Sequence, residues 1–118
     1  MKIPLNMGNG NQSSKAAQFK MLEREILATK KGDWNAKNNL VRTFTPLLTS
    51  LAEKRSSDAA QKNKLIEAGK EGLFTAARKY NEKMGADKFQ IFALDFIESN
   101  MDNIDKNVGF FARLFGKG

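Results

Sequence analysis

Between Phe89 and Ile104, the residues Phe89, Phe92, Ala93, Phe96, Ile97, Met101 and Ile104 form an apolar stripe that repeats at intervals of three and four without a slip. That spacing keeps one face of an α-helix apolar; a strand, whose side chains alternate, cannot use it. A helix with so complete a stripe must bury it against other elements. The rest of the chain offers only helical partners. Phe19, Leu22, Ile26 and Leu27 mark a first helix that opens near Ser14 and stops at "KKGD", where Gly32 suits the left-handed residue after a helix end. Asp33 is placed to cap a second helix, with Leu40, Val41, Phe44, Leu47, Leu48 and Leu51 as its buried stripe. Pro46 lies inside that pattern and should kink it. After the polar connector "SSDAAQKNK", in which Asp58 can cap a turn, a third helix is expected from about Lys62 to Lys83, with Leu65, Ile66, Leu73, Ala77 and Tyr80 on its apolar side.

No segment alternates as a half-buried strand does. The expected fold is all-α, a compact bundle of four main helices, with a short helix in the Phe-rich "NVGFFARLFGKG". The expected divisions are a flexible tail over 1–13, the helical domain over 14–105 and an amphipathic segment over 106–118.

Composition narrows the function. Cysteine and histidine are both absent. No disulfide framework or thiolate metal site can form, and the commonest general base and metal ligand is missing. No nucleophile–base pair can be named, so the expectation is a non-enzyme with no cofactor, no metal and no small-molecule substrate. No apolar run approaches the roughly 20 residues of a membrane span, and the N-terminus has no apolar signal core, so a cytoplasmic protein is expected.

The formal net charge is +7, unevenly spread. Residues 1–55 hold ten Lys and Arg against four Asp and Glu, whereas residues 86–105 set Lys88 against Asp87, Asp95, Glu98, Asp102 and Asp105. The basic half favours polyanions or acidic surfaces. Lys30, Lys31, Lys37 and Lys88 are the candidates for weak contact with DNA. Trp34 is expected to cover the junction of the first two helices, with a partner anchor as the alternative.

Gly69 and Gly72 stand one turn apart in "LIEAGKEGLFTAARKYN", with Ala76 on the next turn. Each glycine costs a helix about 1 kcal/mol relative to alanine. Small residues at this spacing let another helix come close, which offsets the cost by dispersion. The wider stretch closely resembles region 2 of bacterial RNA polymerase sigma factors of the primary and flagellar type. The resemblance runs over roughly residues 31–104. It is carried by "KKGDWNAKNNLV", "NNLVRTFTPLLTSLAEKR", the glycine pair in "LIEAGKEGL", "AARKYN" and "G-x-x-KF", in that order.

The resemblance implies a compact helical domain whose glycine-bearing helix docks on the clamp of the polymerase largest subunit. It places that contact on Arg42, Leu65, Ile66, Glu67, Gly69 and Lys70. It implies further that the following helix recognises and opens the −10 promoter element, and there this sequence departs. Where the family carries tyrosine, paired tryptophans and an arginine, this chain has Phe92, Asp95, Phe96 and Glu98. Strand opening needs aromatics to stack on bases and cations to hold phosphates. Carboxylates repel the backbone instead, and Phe89, Phe92 and Phe96 lie on the core stripe. Lys64, Glu67–Ala68 and Lys70–Glu71 also differ from the family's usual docking residues. Nothing after Asp105 is long enough for a second promoter-reading domain. The expectation is therefore a divergent, stand-alone region 2-like domain. It would bind polymerase core or a sigma-binding regulator by protein–protein contact, with impaired or absent melting. The alternatives are a basic nucleic-acid-binding module, or a scaffold or adaptor that has lost transcription.

Overall fold

The computed structural model describes the backbone of residues 3–111 and the side chains of residues 15–107. Four α-helices follow one another: α1 (Ile3–Lys30), α2 (Trp34–Arg55), α3 (Ala59–Lys79) and α4 (Phe89–Phe111), with one 3-10 turn over Ala86–Lys88 before α4. No strand occurs among the described residues, and the protein is an all-α bundle.

Local chemistry sets the junctions. At the end of α1, Asp33 N–H donates to the Ala28 carbonyl and Gly32 N–H to that of Thr29. Gly32 has φ +99°, so these two bonds close a Schellman motif around a left-handed glycine. Asp33 then accepts from Ala36 N–H and caps α2, and Asp58 accepts from Gln61 N–H and caps α3. Tyr80 ends α3. Its backbone is extended, its carbonyl accepts from Lys30 Nζ at 2.7 Å, and its hydroxyl donates to Glu23 at 2.7 Å. Both bonds tie the end of α3 back to α1.

The core is built on rows of residues four apart. Ala36, Leu40, Phe44, Leu48 and Ala52 are buried along α2, and Phe89, Ala93, Ile97 and Met101 along α4. Between them α3 buries Leu65, Gly69, Gly72, Leu73, Ala76 and Ala77. Such rows pack as ridges into the grooves of a neighbour. Phe89 meets the edges of Phe44 and Tyr80 at centroid distances of 5.7 and 5.8 Å, an arrangement that adds to the area it removes from water.

The glycines are explained by α4. A Cβ on Gly72 would stand 2.6 Å from the Phe96 carbonyl oxygen and 2.7 Å from Ile97 N and Cα. One on Gly69 would meet side-chain ends: Leu48 Cδ2 at 2.8 Å and Met101 Cε at 3.0 Å. Backbone thus lies against backbone at Gly72, and α3 packs along α4 more extensively than any other pair of elements does. Beside this seam Asn100 donates to the Ala68 carbonyl at 3.0 Å. Farther along, Arg55 Nη1 bonds Asp102 at 2.8 Å and Asp105 at 2.7 Å. Two of the acidic residues of α4 therefore hold the end of α2.

Several boundaries differ from the expectation. Helical backbone begins at Ile3 rather than Ser14. Pro4 falls in the first turn, where its missing N–H costs nothing, and extending a formed helix is cheap compared with starting one. The connector is shorter than expected because Asp58 starts α3 at Ala59. Helix α4 continues through Gly109 to Phe111, since one glycine weakens a helix without ending it, and the rest of the expected C-terminal helix lies outside the described residues. Leu114 and Phe115 lie outside the described residues, as do the side chains of Phe110 and Phe111.

Candidate functional site

The residues expected to dock on a protein partner divide into three groups. Leu65 is fully buried and Gly69 is buried against Leu48, Ile97 and Met101. These two are corrected from contact residues to core residues, because the close approach of α4 fills the space beside them. Ile66, Glu67 and Lys70 remain at the surface of α3, Ile66 and Lys70 half-buried and Glu67 exposed. Lys70 Nζ bonds Glu67 at 2.9 Å, an i,i+3 pair worth a few tenths of a kcal/mol. Arg42 stands apart. It donates to Asn39 and helps to line an open groove of about 570 Å³ between α1 and α2, together with Phe19, Met21 and Leu22.

Helix α4, where the resemblance leads one to expect promoter contacts, is closed. Phe89 has no exposed surface. Phe92 and Phe96 pack half-buried against the core and against each other, edge to face with centroids 5.2 Å apart. Outward from α4 stand Ile91, Asp95 and Asp102. That surface offers neither a free aromatic platform nor a cationic track for a nucleic-acid strand.

The candidate nucleic-acid lysines separate too. Lys88 lies in the turn before α4, and Lys31 is exposed beyond the end of α1. Lys30 and Lys37 come together in a cleft of about 300 Å³ formed by the end of α1, the start of α2 and the second half of α3. Its other lining residues include Thr29, Trp34, Phe74 and Arg78. Lys37 Nζ sits over the Phe74 ring, 4.3 Å from its centroid, a cation–π contact. Arg78 donates to Thr75 from one Nη at 3.1 Å. The Thr29 hydroxyl is buried with no hydrogen-bond partner.

Trp34 is 70% exposed, so it does not cover the helix junction as expected. It is the first residue of α2, directly after the Asp33 cap. Its large apolar area left in water is unusual. Sequence reasoning missed Phe74, Arg78 and Thr29. Phe74 and Arg78 share a helix face one turn apart and off the glycine stripe, a signal that was available. The depth of Thr29 had no signal.

Among the described residues no group of carboxylates could hold a metal ion, and no helix is long and apolar enough to cross a membrane. The chain matches no protein-family model, no curated protein and no solved structure.

Proposed function

We propose that the chain is a partner-binding domain on the plan of sigma factor region 2. It docks by protein–protein contact on the clamp of the RNA polymerase largest subunit or on a regulator that binds sigma factors, and does not separate promoter strands. One observation carries the reading. The glycine seam closes α3 on α4, which buries Phe89 and leaves no aromatic among the described residues that α4 exposes, while Ile66, Glu67 and Lys70 stay at the surface of α3. The helix that would melt DNA is committed to the core. The helix that would dock keeps an outward strip of one apolar and two charged residues. The order of two helices, a polar connector, the glycine-bearing helix and an apolar fourth helix is also the order the resemblance implies.

The test is binding to purified core polymerase by interferometry, with a complete sigma factor as positive control. Wild type is expected to bind, and Ile66→Glu/Lys70→Glu to bind at least tenfold more weakly. A promoter carrying a fluorescent base in its −10 element is expected to stay closed on addition of the complex. Failure to bind polymerase or any sigma regulator, while the control binds, would remove the proposal.

A further inference from the structure

We infer that the cleft between α1, α2 and α3 is a binding site for single-stranded nucleic acid, with Trp34 as its stacking platform. The inference is independent of polymerase docking and makes no use of α4. Such sites combine cations that follow the phosphates with an aromatic face on which a base stacks. Here Lys30, Lys37 and Arg78 line one cleft, with the exposed Trp34 beside Lys37 on α2.

Each cation has capacity to spare. Lys30 spends one N–H on the Tyr80 carbonyl and keeps two. Lys37 rests on Phe74, which holds the ammonium in place without using its donors. Arg78 gives Thr75 a bond from one Nη.

Single-stranded nucleic acid fits better than an acidic peptide or a duplex. An acidic peptide would use the cations and leave the indole in water. A duplex keeps its bases stacked on one another, out of reach of Trp34. Of the three, only an unpaired strand offers phosphates and a free base face together.

Trp34 is the only tryptophan, so its fluorescence reports on this site alone. The probe is a 12-nucleotide oligothymidylate at low salt, with polyglutamate and heparin as polyanions that lack bases. The oligonucleotide is expected to quench Trp34 and the other two polymers to leave it unquenched. Single-strand binding loses affinity with salt at a logarithmic slope of about −0.7 per phosphate neutralised, so three cations give a slope near −2. By anisotropy of a labelled oligonucleotide, Trp34→Ala should weaken binding about 5- to 150-fold, the loss of one stacked base. Lys37→Glu/Arg78→Glu should weaken it at least tenfold. The control Lys54→Glu/Lys64→Glu makes the same charge change at exposed positions elsewhere and should weaken it far less. Circular dichroism verifies that all variants are folded. The inference is overturned by absence of quenching, by equal quenching with polyglutamate (an acidic-peptide site), or by equal loss in the two double variants (a net-charge effect).

Discussion

Replacing Gly72 with alanine is the sharpest test of how this bundle closes. The added Cβ would lie 2.6 Å from the Phe96 carbonyl oxygen and 2.7 Å from Ile97 N and Cα, where ordinary contact begins at 3.4 Å. These are backbone atoms of α4 and cannot rotate away, so the helix must retreat by about 0.8 Å. A gap of that size forfeits about a quarter to a half of each contact, itself worth about 0.1–0.2 kcal/mol. Taking roughly 50 contacts, as for one buried side chain, the seam around Ile97 gives up about 3 kcal/mol. Alanine returns about 1 kcal/mol through its better helix propensity. The net expectation is a loss of about 2 kcal/mol, within the usual range for overpacking.

Gly69→Ala is the internal control. Its Cβ meets the flexible ends of Leu48 and Met101, which can move, so its cost should stay within about 1 kcal/mol after the propensity gain. Urea unfolding followed by circular dichroism measures both. The reasoning fails if Gly72→Ala is as stable as wild type, or if Gly69→Ala is the more damaging of the two.

Other perturbations test other joints. Phe89→Ala should cost about 3–5 kcal/mol in the same assay, as for a fully buried aromatic, because Phe89 fills the space between Phe44 and Tyr80. Arg55→Met frees Asp102 and Asp105 from α2; it should cost about 1 kcal/mol at low salt and visibly less at high salt, since the carboxylates are partly exposed. Tyr80 is the only tyrosine. Burial, and then its bond to Glu23, raise its pKa above the ordinary 10.0. Its contribution to stability is therefore intact below about pH 10 and is lost as pH rises beyond that. Phenolate absorbance should appear only as the protein unfolds, and Tyr80→Phe should show a shallower alkaline loss of stability.

The fold was legible because its signals were redundant. The stripe from Phe89 to Ile104 and the caps Asp33 and Asp58 each pointed to the same helices, and the core used those residues. The glycine pair was read as packing, yet which glycine faces backbone and which faces side chains depends on the position of α4. Tyr80 joins the core as its place on the apolar face of α3 implies, but that it ends the helix and bonds Glu23 and Lys30 of α1 had no signal in the spacing. The acidic surface of α4 was legible as charge. That Asp102 and Asp105 serve Arg55 was not, because the pairs span 47 and 50 residues. The cleft was half legible. Lys30, Lys37 and Trp34 were singled out one by one, but only the meeting of α1, α2 and α3 puts them beside Phe74 and Arg78.

The shape of the bundle also bears on what it can bind. Helix α4 gives its apolar stripe to the core and two carboxylates to Arg55, and the docking proposed above uses the outward strip of α3 instead. Hydrogen exchange of the protein alone and with core polymerase tests that division most directly. The expected footprint is slowed exchange across residues 63–71 of α3, with α4 over 89–105 unchanged. Protection confined to α4, with α3 untouched, would contradict it.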